Sequence, residues 1–291
     1  MRIQAWLARN TASLSGKTVA VTGSTGGLGR ALCHYLAGLG ASLILMDRNA
    51  ARSAAFRDEL VAAYGVAVSC ITVDLAVMAS VKPAAEALLA AAPDIFIHNA
   101  GAYDIPRCRT DAGYDNVFQI NFVSPYYIIR TVKPHLDRVG GRVVVVGSIA
   151  HNYSKTDAAD VDFSTRKRAS RVYGNAKRYL MFSLYPLFCD EAGATLAVTH
   201  PGISQTGITA HYPKLIYALI KWPMRVIFMR PRKASLSILR GVFEACGDGE
   251  WIGPRCFDVW GYPLKKSLHT CQEAERAYIA ATAEQIYARL V

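Results

Sequence analysis

The sequence predicts a single doubly wound α/β domain built on a parallel sheet, and three observations carry that prediction. From Gly16 onward, short apolar runs alternate with longer helix-compatible stretches. The runs are apolar almost throughout rather than at every second residue, as strands covered on both faces require. A glycine-rich turn follows the first of them, where such sheets bind ligands.

Taken in order, Thr18–Val21 reads as the first strand and Gly23–Leu39 as a turn and helix. Ser42–Met46 is the second strand, Ala50–Tyr64 a helix and Val68–Val73 the third strand. Ala76–Ala92 is rich in Ala and Leu, hence helical, and Pro93 ends it. Asp94–His98 is the fourth strand, and Tyr114–Leu136 a long helix whose middle must absorb Pro125. Arg142–Val146, a helix at Ala169–Asp190, and Thr195–Thr199 complete six strands. Ile203–Ser235 carries Pro213, Pro223 and Pro231 among apolar and basic residues, which suits a helical substrate lid at about 204–235. Helices at Leu236–Cys246 and Ala274–Leu290, with a strand, fill the remainder. No repeat or low-complexity linker interrupts the chain, so one domain over 1–291 with its core at about 16–203 is expected.

Composition excludes several classes. With 52% hydrophobic and 19% charged residues, the chain is not intrinsically disordered. Its longest strongly apolar stretch, Leu215–Met229, is cut by Lys221, Pro223 and Arg225, whereas a membrane span needs ~20 apolar residues. The seven cysteines form no CxxC pair and read as buried thiols of a reduced compartment. The seven histidines lack metal-ligand spacing, so no metal is expected. No signal peptide is recognisable, and a cytoplasmic protein is expected. The net charge of +11 invites an anionic partner. Neither a nucleic-acid module nor an aromatic-plus-basic platform is present, so nucleic acid is not expected.

The strand Thr18–Val21 runs into Thr22-Gly23-Ser24-Thr25-Gly26-Gly27-Leu28-Gly29 and then a helix. Glycines there let the backbone turn tightly and approach a pyrophosphate, whose charge meets the helix N-terminus. The second strand ends at Asp47, 18 residues after Gly29. A carboxylate there accepts from both adenosine ribose hydroxyls and repels a 2′-phosphate, which favours NAD. The adjacent Arg48 leaves NADP open, because a guanidinium pairs with that phosphate; stacking on adenine or a plain surface charge are its alternatives. Asp74, with Leu75 beside it, closes the third strand within reach of the adenine, or else caps the next helix.

Tyr173 and Lys177 stand four residues apart on one helical face. A lysine ammonium beside a phenol favours phenolate, which lowers a pKa that starts near ~10. Such a tyrosine exchanges a proton with a carbonyl or alcohol while hydride moves to or from nicotinamide. Ser148 follows the fifth strand, where its hydroxyl can hold the substrate oxygen. Asn121 lies inside the long helix, where a polar amide on an apolar face calls for a reason, unless it is a satisfied core amide.

Thr22–Gly29, Asn99-Ala100-Gly101, Asn121, Ser148, Tyr173 with Lys177, and Pro201-Gly202 with Thr206 occur in one order and spacing. In this, residues 16–206 resemble the short-chain dehydrogenase/reductase family, of Rossmann type. The resemblance implies Tyr173 as general acid/base, Ser148 orienting the substrate oxygen, and Lys177 binding the nicotinamide ribose and tuning the tyrosine. It further implies Asn121 holding a relay water, Asn99–Gly101 shaping the sheet beside the cofactor, and Thr206 touching the nicotinamide amide. Within the family the chain is similar to the retinol-dehydrogenase-like branch. Thr110-Asp111-Ala112-Gly113-Tyr114, Ser148-Ile149-Ala150-His151, His200-Pro201-Gly202, Trp251-Ile252-Gly253-Pro254 and Gly261-Tyr262-Pro263 carry that likeness. Two positions depart from it. Ala176 replaces the serine usual before the lysine, and Asp47 is unlike the NADP-binding pattern common in that branch.

The expected activity is NAD(P)-dependent hydride transfer to or from a lipophilic alcohol or carbonyl, hydroxysteroid-, retinoid- or long-chain-like. The apolar lid residues Ile203, Ile208, Tyr212, Leu215, Ile216, Leu219 and Trp222 motivate the lipophilic substrate. Two alternatives stand beside it. One is a ketoacyl reductase whose Arg166, Lys167, Arg168 and Arg171 dock a carrier; the other is a non-catalytic nucleotide-binding sensor or scaffold. A homo-oligomer is the expected assembly. If Lys214–Met229 is helical, Lys214, Lys221 and Arg225 fall nearly in line, and Arg230, Arg232 and Lys233 extend the basic edge. That suits either an ordinary lid helix or peripheral contact with an anionic membrane.

Overall fold

The computed structural model describes residues 2–190, 192–202 and 229–291. Six parallel strands arise where the apolar runs placed them: β1 (Thr18–Thr22), β2 (Ser42–Asp47), β3 (Val68–Thr72), β4 (Ile95–His98), β5 (Arg142–Val146) and β6 (Thr195–Thr199). Two more follow, β7 (Glu250–Cys256) and β8 (Trp260–Ser267), giving one sheet in the order β3-β2-β1-β4-β5-β6-β7-β8. Strand order reverses between β1 and β4, which opens a crevice at their carboxyl ends.

The helices are α1 (Ile3–Asn10), α2 (Gly27–Gly38), α3 (Ala50–Tyr64), α4 (Met78–Ala90), α5 (Asn116–Phe118), α6 (Ser124–Val139), α7 (Ala169–Leu184), α8 (Pro231–Ala234), α9 (Leu236–Phe243) and α10 (Glu273–Leu290). Strand alternation sorts the core into two layers. Val19, Val21, Leu43 and Leu45 pack with α1, α2, α3 and α9 on one face. Ala20, Ile44, Val143 and Val145 pack with α4, α6, α7 and α10 on the other. Runs that looked uniformly apolar are therefore alternating residues serving two cores.

Several expectations need correction. The stretch 236–291 holds two strands rather than one. Pro254 and Pro263 face each other across the β7–β8 pair, at the edge of the sheet where proline is tolerated. Helix α1 was not read at all; it is short, and it is fixed by the burial of Trp6, whose ring stacks on Tyr262. The helix expected at Tyr114–Leu136 runs without a gap from Asn116 to Val139, as α5, a π-helical turn at Gln119–Val123 and α6. The π-helical turn accommodates Pro125, which has no N–H for the carbonyl one turn earlier. Of the seven cysteines only Cys33 is buried, while Cys108, Cys189 and Cys256 are exposed. The lid expected at 204–235 lies, as far as residue 228, outside the described residues, and so does Thr206.

The Thr110–Tyr114 segment acts on this scaffold. Asp111 accepts from the backbone N–H groups of Met78 (3.1 Å) and Ala79 (3.3 Å), capping α4, which has no side-chain cap of its own. Gly113 takes the left-handed φ of +80° that the turn requires. Replacing Asp111 with Ala should cost about 1 kcal/mol, lowering the melting midpoint by about 2–3 °C. Calorimetry of Asp111→Ala beside Asp111→Asn checks this, the asparagine retaining most of the stability.

Candidate active site

The glycine-rich turn is built by close approach. Gly23 has φ +66°, and a Cβ there would stand 2.9 Å from the Ala100 Cα. A Cβ on Gly29 would stand 2.1 Å from the Gly23 carbonyl, so α2 starts hard against the turn. Gly26 flanks α2 on its N-terminal side, and Gly27, Leu28 and Gly29 form its first turn, which carries no acidic side chain and no side-chain cap. That leaves backbone N–H groups to receive an anion.

Asn99 latches this turn to β4, donating from Nδ2 to the carbonyls of Thr22 (3.0 Å) and Gly23 (3.1 Å). Asp47 latches it to β2. Its carboxylate accepts from Ser24 Oγ, from Thr25 N (3.1 Å) and Oγ1 (2.9 Å), and from Ser53 Oγ (3.2 Å). Arg48 beside it is exposed. Asp74 does not cap α4; it closes its own turn by accepting from Ala76 N at 2.9 Å. The Leu75 carbonyl accepts from Ser124 Oγ at 2.6 Å.

At the other end of the crevice the four catalytic candidates converge. Lys177, 1% exposed, donates from Nζ to the Val146 carbonyl at the end of β5 (2.8 Å). The same ammonium lies 5.6 Å from the centre of the Tyr173 ring. A Cβ on Gly101 would stand 2.8 Å from Asn121 Oδ1 and 3.5 Å from Lys177 Nζ, so glycine there lets all three meet. Asn121 donates from Nδ2 to the carbonyls of Ala102 and Val117, both at 2.8 Å. It sits in the π-helical turn, and Pro125 has no N–H to offer its carbonyl as an ordinary helix would. Ser148 leads into a 3₁₀ turn at Ile149–Tyr153, its Oγ accepting from Ala150 N at 3.2 Å. Helix α7 closes on that turn because Gly174 has no side chain: a Cβ would stand 2.2 Å from the Ala150 carbonyl.

The electrostatics differ from the expected picture. Burial pushes the Tyr173 phenol up to about 12; a hydrogen bond with Ser148 opposes the rise, and Tyr103 adds to it. Burial alone brings Lys177 down to about 7. Desolvation thus disfavours both charged forms, and Lys177 is not among the groups that shift the phenol.

Neighbours to which the sequence assigned no role complete the site. The Tyr103 ring meets Tyr173 edge-on, with centroids 5.3 Å apart. His151 Nδ1 lies 2.6 Å from the Ser148 carbonyl, and its Nε2 lies 2.8 Å from Thr270 Oγ1. Arg178 donates to the His151 carbonyl (3.2 Å) and pairs with Glu275 (2.5 Å) on α10. Spacing holds no sign of a pair 97 residues apart; a buried arginine on an apolar helix face was the available signal. The His200 ring stacks on Trp251, centroids 5.1 Å apart, joining the end of β6 to β7. Beyond it, Pro201 leads to Gly202 at φ +78°, where Met229, Val259 and Pro254 leave no room for a side chain.

Residues 17–168 match the short chain dehydrogenase family. The chain belongs to this family. Its relatives put it in the retinol-dehydrogenase-like branch. It is 29% identical over 266 residues to retinol dehydrogenase 14 of Mus musculus, covering 84% of this chain and 78% of that protein. It is 31% identical over 234 residues to dehydrogenase/reductase SDR family member 13 of Bos taurus, covering 77% of this chain and 61% of that protein. The chain thus spans about three fifths of the bovine relative's length. Among solved structures, the NADP active-site complex of Pseudomonas aeruginosa RhlG aligns with a TM-score of 0.60 and 26% identity, covering 80% of this chain and 91% of that one. As a short-chain dehydrogenase/reductase, this chain is an NAD(P)-dependent oxidoreductase. The residues fit that cofactor: the turn from Gly23 to Gly29 leads into a first turn of α2 that carries no acidic side chain and no side-chain cap, and Lys177 presents a buried ammonium at the end of β5.

The Arg178–Glu275 pair makes the site sensitive to acid. Burial raises the Glu275 carboxyl, but hydrogen bonds from Arg178 and Thr156 outweigh it and hold the group at about 2. A depressed carboxylate stabilises the fold above its unfolded pKa of 4.5, and that stability is lost as pH falls toward about 2. Glu275→Gln leaves Arg178 buried without its counter-charge and should cost about 3 kcal/mol near neutrality. Melting curves at pH 7 and pH 3 check this; the gap between wild type and variant should narrow at the lower pH.

Proposed function

We propose that this enzyme transfers hydride between nicotinamide and a lipophilic secondary alcohol/ketone or alcohol/aldehyde of retinoid, hydroxysteroid or long-chain type, with Tyr173 as its proton-transfer group. The observation that carries the reading is the meeting of Tyr173, Ser148, Lys177 and Asn121 at the carboxyl end of the sheet, beside the glycine-rich turn. A bound nicotinamide supplies or accepts the hydride. Burial leaves the Tyr173 phenol protonated, the form that donates to a carbonyl oxygen. Ser148, hydrogen-bonded to the same phenol, holds that oxygen in place. Lys177 binds the nicotinamide ribose and returns positive charge to the tyrosine. Asn121 holds a relay water on its main-chain carbonyl, since its side-chain amide is committed to Ala102 and Val117. Gly23 to Gly29 hold the pyrophosphate, Asp74 and Leu75 flank the adenine, and Pro201, Gly202 and Thr206 flank the nicotinamide.

The lipophilic substrate rests on similarity to retinol dehydrogenase 14 and on the aromatic wall that Tyr103 sets against Tyr173. Carrier docking by the 166–171 cations is less well supported, because Arg166 is paired with Asp157 (2.5 Å) and Asp160 (3.5 Å). Spectrophotometric assays with steroid, retinoid and ketoacyl panels test the substrate class; turnover of ketoacyl substrates alone overturns it. In the same assay Tyr173→Phe should retain less than about a tenth of wild-type turnover, with dinucleotide affinity nearly unchanged.

We further propose that the enzyme favours NAD, because the buried Asp47 carboxylate at the end of β2 repels a 2′-phosphate. Asp47→Asn should keep part of the latch on Ser24, Thr25 and Ser53 while removing the charge. Catalytic efficiencies with the two cofactors should then shift toward NADP by about ten-fold or more, with Arg48 unopposed. A wild-type preference for NADP would mean that Arg48 dominates.

A further inference from the structure

The hairpin of β7 and β8 ends in a feature that the catalytic reading does not use. Val259 N donates to the Cys256 carbonyl (3.0 Å), closing a tight turn with Phe257 at φ +50° and Asp258 at φ +57°. Turns with two left-handed residues favour Asn, Asp and Gly; a bulky residue there is strained. Asp258 is held by Lys266 Nζ at 2.8 Å. Phe257 is 94% exposed, the most exposed of the large hydrophobic residues among those described, so its ring returns little to the fold. A strained backbone position carrying a bare aromatic ring points to a use outside the molecule.

Its surroundings say which use. Trp260, 49% exposed, stands beside the turn with Lys233 Nζ 3.8 Å from its ring centre. Arg230, Arg232 and Arg255 are exposed, and neither these three nor Lys233 has a carboxylate within ion-pair distance among the described residues. An exposed pair of rings, one of them under Lys233, with three exposed arginines flanking these segments in the chain, matches the headgroup zone of an anionic bilayer, where rings enter the interface and guanidinium groups meet phosphates. A protein partner would need roughly 800 Å² of closely packed surface on each side, and a protruding tip does not offer that.

The tip also stands at the right end of the sheet. Strand β7 runs parallel to β6, so its carboxyl end lies on the ligand-binding rim. There Val259 and Pro254 close directly on Gly202. We propose that Phe257 and Trp260, together with Arg230, Arg232, Lys233 and Arg255, dock the enzyme on an anionic lipid surface with the mouth of the active site facing it. Only the purpose, delivery of a lipophilic substrate from the bilayer, rests on the proposed function; the docking itself does not.

Flotation of the purified full chain with phosphatidylcholine vesicles, with and without phosphatidylserine, reads docking without turnover. Wild type should float with the anionic vesicles at low salt and be released by high salt. Phe257→Asn relieves the turn and removes the ring; it should cut binding about ten-fold without lowering the melting midpoint. Arg230→Ala with Arg255→Ala should do the same by about ten-fold. Wild type that stays unbound at low salt overturns the proposal, as does binding indifferent to these variants or equal on neutral vesicles. So does concentration-dependent self-association that Phe257→Asn abolishes while no vesicle is bound, which would make the tip a contact between copies. A protein that floats but turns over no lipophilic substrate defeats the substrate reading alone, and one that turns it over yet never floats defeats only the docking.

Discussion

Burying the Lys177 ammonium to 1% exposure, against the Val146 carbonyl 2.8 Å away, constrains the whole carboxyl edge of the sheet. For the amine to reach the end of β5, α7 must lie flat on the sheet, and Gly174 permits this by meeting the Ala150 carbonyl without a side chain. Gly101 gives way on the opposite side, which brings Asn121 to the same point. A side chain at either glycine would separate the groups. Desolvation then sets the chemistry by drawing the amine down to about 7 and the neighbouring phenol up to about 12.

The same edge is braced from outside. Ser148 is held through its own carbonyl by His151, which reaches Thr270, and through Arg178 to Glu275 on α10. The C-terminal helix thus supports a loop more than a hundred residues earlier in the chain. At the nucleotide end, Asp47 draws Ser24, Thr25 and Ser53 onto β2, so the group proposed to choose the cofactor also shapes the turn that would receive it. Changes at such positions combine structural and chemical effects, and only charge-removing, shape-keeping substitutions separate them.

Element order and the glycine-rich turn were legible in the sequence because they are local. The boundaries of α3, β5 and β6 followed from runs and flanking residues alone. So did the sharing of one helix by Tyr173 and Lys177, since i, i+4 spacing fixes a face. Gly23 and Gly29 announced close backbone approach, and the structure supplies the atoms approached, the Ala100 backbone and the Gly23 carbonyl.

Tertiary structure alone decided the rest. Pro125 was visible, but a sequence cannot say that the chain accommodates it by a π-helical turn around Asn121. The β7–β8 pair, with Pro254 facing Pro263, forms at the sheet edge, and no local run of residues in the sequence marked a second strand there. The tyrosine–lysine pair promised a lowered phenol; the structure reversed it, because desolvation depends on every atom that excludes water and not on the partner four residues away. Spacing within a chain records which side chains share a local face. It carries no record of what a distant segment will bury, and burial shifts both the phenol and the amine of this site.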